Sequence, residues 1–278
     1  MANVLDFASD LGKALYHCGA ETYRIEETVK RVLLALTEPN TEVDVFAIPA
    51  YLAISVKLPD EEGEPRIHKQ EDGTEALSVE AKEGHVLYRS LRMSGVSYNL
   101  ENLEKINDLS RRITAHKIGL DDAYKELEEI TVVKEKPWWQ APLSYGCIGM
   151  GFALIFGAPW SVLPFPFLIG VTLYYVLQPF HKRDLIQTLT NTIGAFYVTF
   201  MTWLFAHFGL LQGAADSVNV GVLMILVPGM LLTNGARDLM AKDTVSGLSN
   251  LTEACMAALA LALGSGLALY FWRWIGRL

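Results

Sequence analysis

Ala141–Phe180, APLSYGCIGMGFALIFGAPWSVLPFPFLIGVTLYYVLQPF, contains no Asp, Glu, Lys or Arg. A hydrocarbon core about 30 Å thick takes roughly 20 apolar residues per helical crossing, so this stretch is long enough to cross a bilayer twice. Pro159 and the Pro164-Phe165-Pro166 cluster divide it, which predicts spans at about 142–158 and 161–178. Beyond Asp184 the chain is again uncharged as far as Ala215, predicting a third span near 186–210. Ser217–Ala236 and Ala254–Trp272 predict a fourth at 217–236 and a fifth at 254–272, with Trp272 and Trp274 marking an interface.

Working outward, the charge distribution separates two solvents. Of the 54 Asp, Glu, Lys and Arg residues, 11 fall in Ala141–Leu278, and the first 140 residues hold 17 basic and 26 acidic ones. The expected fold is therefore an α-helical membrane bundle of about five spans preceded by a soluble α/β (α+β) N-terminal domain, with boundaries at 1–136 and 137–278. An acidic N-terminal part lacks the basic surface that nucleic acid or anionic lipid would require, so no nucleic-acid partner is expected. Residues 1–15, MANVLDFASDLGKAL, carry Asp6 and Asp10 and no long apolar core, so they do not read as a cleavable signal peptide and the N-terminal part is expected in the cytoplasm. Cys18, Cys147 and Cys255 are scattered without metal-ligand spacing and read as small apolar residues; no metal and no cofactor is expected.

The basic residues set an orientation. With Lys134 and Lys136 on the cytoplasmic side, the segments bearing Lys182 and Arg183, then Arg237 and Lys242, return there. Five crossings put the C-terminus outside, against the preference of Arg273 and Arg277, whereas a re-entrant fourth segment would not. Both topologies stay open.

In the N-terminal part, apolar residues at three- and four-residue spacing (Leu5, Ala8, Leu11, Leu15; Ile25, Val29, Val32, Leu33) predict helices over 4–18 and 23–36. Glu42–Lys57, interrupted by Pro49, predicts two short strands joined by a bend. The stretches 65–70 and 76–82 around Asp72-Gly73 predict a hairpin, and 85–96 another strand. Asn99 opens a predicted helix over 99–116 that Gly119 ends, and 120–130 forms a last one.

Three groups of residues attract a chemical reading. In Gly221–Gly235, Pro228 and Gly229 sit inside an apolar run; proline removes one helical hydrogen bond and obstructs another, so the helix kinks or breaks there. That break is either a packing kink or a discontinuous helix whose freed backbone groups line a substrate path. Asn234, Arg237, Asp238 and, further on, Glu253 follow it: a solvated loop, or ionisable groups at a watery path, Arg237 pairing with a substrate carboxylate and Asp238 or Glu253 exchanging protons. Asn191, among Thr188, Thr190 and Thr192, reads as an interhelical bond or as a substrate contact. Finally Gly19, Glu21, Thr22, Arg24 and Glu26 join the first two helices, where Gly19 suits a helix end and Glu21 and Arg24 are spaced to pair.

The segments GAETYRIEETVKRV (19–32), EVDVFAIPAYLAISV (42–56) and LVPGMLLTNGARDLMAKDTVSGLSNLTEA (226–254) resemble the threonine/serine exporter family, in particular the longer of its two halves. The resemblance implies a bacterial inner-membrane exporter of threonine and serine, or of small dicarboxylates such as succinate. It also implies a lipid bilayer around the chain and a second, smaller membrane subunit of the same family, with homo-oligomers as a further possibility. Proton coupling is the expected drive. A membrane-tethered hydrolase and a membrane-anchored ligand sensor or scaffold are the alternatives. The hydrolase lacks support, because Gly-x-Ser-x-Gly, His-Glu-x-x-His and Gly-x4-Gly-Lys are absent, and no enzymatic activity is expected.

Overall fold

A computed structural model describes residues 2–39, 41–57, 65–69, 75–79, 86–93, 95–132, 137–182 and 186–275. The turn at Asp72-Gly73 and the orienting residues Lys134, Lys136, Arg183 and Arg277 lie outside them. The chain divides into two units, one of Met1–Val133 with Asn234–Ser249, the other of Lys134–Thr233 with Asn250–Leu278.

In the first unit, α1 (Ala2–His17) and α2 (Thr22–Leu36) form where the three-four spacing predicts them. Their apolar faces, Phe7, Leu11 and Leu15 on α1 and Ile25, Val29, Val32 and Leu33 on α2, are buried. β1 (Glu42–Ile48), β2 (Tyr51–Lys57) and β5 (Val86–Arg92) make an antiparallel sheet in the order β1-β2-β5. Ile54 is central to it, opposite Val45 on one side and Arg89 on the other. Alternation decides the buried face: Leu52, Ile54 and Val56 point into the core while the residues between them do not. Pro49 and Ala50 make the predicted bend. β3 (Pro65–Lys69) and β4 (Glu75–Val79) pair antiparallel as a separate hairpin.

α3 (Leu100–Thr114) starts on Asn99, whose side chain accepts the Asn102 N–H at 3.1 Å. Asn102 in turn donates to the Ile130 carbonyl of α4 (Leu120–Thr131) at 2.9 Å. Gly119 does not end α3. The helix closes earlier on His116 in the left-handed region, and Gly119 precedes the first residue of α4. Ile106, Leu109, Ile113, Ala123 and Leu127 complete the core.

The second unit holds α5 (Gln140–Ile155), a 3-10 turn at Trp160–Val162, α6 (Pro164–Lys182), α7 (Gln187–His207) and α8 (Ala215–Leu223). It also holds the start of α9 (Gly229–Met240) and most of α10 (Thr244–Ile275). Ala153, Ile169, Leu173, Leu177, Val198, Val218 and Val222 form its core. α10 meets α7 through a hydrogen bond between the Thr199 and Ser265 hydroxyls at 3.1 Å.

The expected bundle of five spans after a self-contained N-terminal domain is overturned. Among the described residues two helical segments are long and apolar enough to cross a membrane, Trp160–Phe180 and Thr244–Trp274. They answer to the spans expected at 161–178 and 254–272. The other three fail for physical reasons. At 1.5 Å per residue α5 rises about 24 Å, short of the roughly 30 Å needed. α7 is long enough, but Gln187, Thr188, Thr190, Asn191 and Thr192 make its first turns polar. The segment expected at 217–236 is two short helices, α8 and α9, with a break between them. Nor does the N-terminal part simply precede the rest, because Asn234–Ser249 belongs to its unit.

Candidate functional site

The first unit brings the α1–α2 junction together with α9. α1 ends in a two-bond left-handed cap: the Gly19 N–H donates to the Tyr16 carbonyl at 2.9 Å and the Ala20 N–H to the Leu15 carbonyl at 3.1 Å. Gly19 has φ +83°, and a Cβ there would lie 2.4 Å from Cδ1 of Tyr98. Glycine is therefore required twice, by backbone and by space. The chain then enters α2 through Glu21, whose carbonyl accepts the Ile25 N–H at 3.1 Å while its side chain caps nothing. That carboxylate is free to reach another element.

On α9, Asn234, Arg237 and Asp238 recur at three and four residues and so share a face. Asn234 Nδ2 donates to the Gly19 carbonyl at 3.1 Å. Arg237 Nη1 donates to Glu21 Oε1, and Arg24 Nη1 donates to Glu21 Oε2 at 3.3 Å. One carboxylate thus holds two guanidiniums, one from its own helix and one from 216 residues downstream. Burial is uneven across the cluster: the Glu21 side chain is 5% exposed, those of Arg24 and Arg237 39% and 56%. Asp238, beside Arg237, is fully buried.

Electrostatics follow. Burial pushes the Glu21 carboxyl up, but its own backbone N–H, the Arg237 hydrogen bond and the two guanidinium charges outweigh it and hold the group below the usual glutamate range. Glu26, one turn further along α2, goes the other way: burial and the Asp243 charge raise it, against the Ala47 N–H, which donates at 2.7 Å, and Lys30. Thr22, the first residue of α2, is buried beside them in the sequence.

α9 turns into α10 within three residues. The Lys242 N–H donates to Leu239 O at 3.0 Å and the Asp243 N–H to Asp238 O at 2.9 Å, with Lys242 at φ +70° where glycine is usual. Asp243 Oδ1 then accepts the Ser246 N–H at 3.2 Å and starts α10. Gly247 lets the helices close, since a Cβ there would lie 2.6 Å from Leu239 Cγ. Ser246 is fully buried, and neither its Oγ nor Asp243 Oδ2 has a hydrogen-bond partner among the described residues.

Gly19, Glu21, Thr22, Arg24, Glu26, Asn234, Arg237 and Asp238 therefore belong to one unit. Asn191, Pro228, Gly229 and Glu253 belong to the other. Asn191 is buried and accepts from Gln187 at 3.0 Å within its own helix. Glu253 is exposed on α10. α8 ends at Leu223 and α9 begins at Gly229. Between them Ile225, Leu226 and Val227 donate three residues back, to Val222, Leu223 and Met224. Asp243 and Ser246 stand in the polar run that follows Arg237 in the sequence, with no role of their own expected there; the Asp-x-x-Ser start of a helix was the available signal. Among the described residues no group of three or more His, Cys, Asp or Glu is placed to hold a metal.

A family model described as "Putative threonine/serine exporter" matches residues 6–272. Pheromone-regulated membrane protein 10 of Candida albicans is 24% identical over 63% of this chain and 16% of its own length. The protein of the same name from Saccharomyces cerevisiae is 24% identical over 63% of this chain and 47% of its own length. That from Yarrowia lipolytica is 21% identical over 94% of this chain and 20% of its own length. The chain spans less than half the length of these relatives. No solved structure matches it.

Proposed function

The chain belongs to the threonine/serine exporter family, and we propose that it works as one subunit of a proton-coupled membrane exporter of small carboxylate-bearing solutes, namely threonine, serine or a small dicarboxylate such as succinate. The observation that carries this reading is Arg237. Its side chain is more than half exposed, gives one nitrogen to Glu21, and follows the Pro228-Gly229 break by eight residues in the sequence. Guanidinium grips a carboxylate through two parallel hydrogen bonds, which an ammonium cannot imitate. The break supports the same reading, since backbone groups released from a helix in a membrane need a partner and a polar path supplies one.

In this reading the chain lies in a bacterial inner membrane with its N-terminus in the cytoplasm. A second, smaller subunit of the family, or further copies of the chain, completes the path. Flux of radiolabelled L-threonine and succinate into inverted vesicles tests it. Arg237→Lys keeps the charge and loses the fork, so flux should fall at least about tenfold with membrane expression unchanged. Parental flux in a normally inserted Arg237→Lys chain would remove Arg237 from the path.

A further inference from the structure

Arg237 already holds a carboxylate, and it is the chain's own. Glu21 presents Oε1 to Arg237 and Oε2 to Arg24, the arrangement that an incoming carboxylate would itself adopt between the two. We propose that Glu21 is a resident stand-in for substrate: a substrate carboxylate gains Arg237 by displacing Glu21, and Glu21 leaves the pair by taking a proton. The inference rests on the exporter reading and adds to it the group that couples substrate to proton.

Three observations support the exchange. First, the exposures are arranged for it. Arg237 is open to solvent while Glu21 is closed off, so a solute meets the guanidinium and not the acid. Second, a buried carboxylate that loses a guanidinium is costly to leave charged. The groups facing Glu21 are Arg24 from α2 and Arg237 from α9, and burial opposes both. With Arg237 taken by another anion, the hydrogen bond and part of the favourable charge go and burial remains, so the group moves toward protonation. The proton is taken from water as substrate displaces Glu21, and it returns to water when the substrate leaves and the pair closes again. Third, α9 stays docked while the exchange proceeds, because Asn234 holds the Gly19 carbonyl independently of the pair.

The test uses the full chain in detergent and two probes, succinate and L-threonine, titrated calorimetrically at pH 7 in buffers of different ionisation enthalpy. The parent should take up close to one proton per probe bound, and Glu21→Gln none. The Gln side chain competes less well for Arg237, so the probe's Kd should fall about tenfold, the worth of roughly one charge-assisted hydrogen bond. Glu21→Asp keeps the acid and should keep the proton uptake, which a purely structural pair would not predict. Equal proton uptake by the parent and a folded Glu21→Gln overturns the proposal, as does binding by the parent without proton uptake. In either case flux that still depends on Arg237 leaves the exporter reading standing. A parent that neither binds nor carries either probe overturns both.

Discussion

Gly19 occupies a left-handed position with Tyr98 in the space a side chain would need. Gly19→Ala should therefore lower stability by about 1–2 kcal/mol from the backbone alone, more if Tyr98 cannot move. A drop of several degrees in Tm, with weakened probe binding through the Asn234 contact, is the expected result. The opposite change suits Lys242, a lysine where the α9 cap uses φ +70°: Lys242→Gly should raise stability by about 1 kcal/mol. Glu21 and Glu26 should tilt the pH dependence in opposite directions. Glu21 is lowered in the folded chain, so its pair stabilises above the ordinary glutamate range and is lost as pH falls through the lowered value. Glu26 is raised, so its contribution is greatest in acid and is lost as pH rises through the raised value. Thermal melts from about pH 2 to 7 should show Glu21→Gln flattening the acid loss, and Glu26→Gln, which can still accept the Ala47 N–H, gaining on the parent toward neutral pH. Equal pH slopes in parent and variants would contradict both assignments.

At the scale of elements, the segment with most at stake is the break between α8 and α9. Proline at 228 cannot donate, and the preceding residues tighten to three-residue hydrogen bonds. Pro228→Ala restores a donor and removes the ring. It should let the two helices join, with membrane expression kept and solute flux lost; unchanged flux would make the break a packing feature. Such an element was legible in the sequence because a proline in an apolar run acts locally. So were α1, α2 and the Asn99 start of α3, each set by spacing or by one capping side chain. The ends of helices were less so. α3 closes on His116 and not on Gly119, since any residue can be forced into a left-handed cap when the surrounding hydrogen bonds demand it.

At the scale of the whole molecule, the chain is a member of an exporter family whose named relatives are membrane proteins. It should leave membranes only with detergent; recovery in an aqueous wash would count against this. The unit that contains the N-terminal residues also contains Asn234–Ser249. A fragment ending at residue 133 should therefore melt lower than the same residues in the full chain, because Glu21 loses one of its two guanidiniums and the Gly19 carbonyl loses its Asn234 donor. Addition of a peptide spanning 234–249 should recover part of that loss, and an Arg237→Ala version of the peptide should not.

The amino-acid sequence by itself determined where charge stops, where helices alternate polar and apolar faces, and where proline and glycine interrupt them. All of these act within a few residues, and so do the two segments apolar and long enough to span. The sequence also carried the motifs at 19–32 and 226–254, which mark the family. Only the tertiary structure decided that these motifs meet. A carboxylate on one helix can pair with any exposed guanidinium, and no local rule picks Arg237 for Glu21 across 216 residues. The choice comes from packing, which sets Asn234 on the Gly19 carbonyl and so brings the next turn of α9 to Glu21. Three expected spans fell for another reason: an uncharged stretch does not by itself fix how long, how polar at its ends or how unbroken its helix will be.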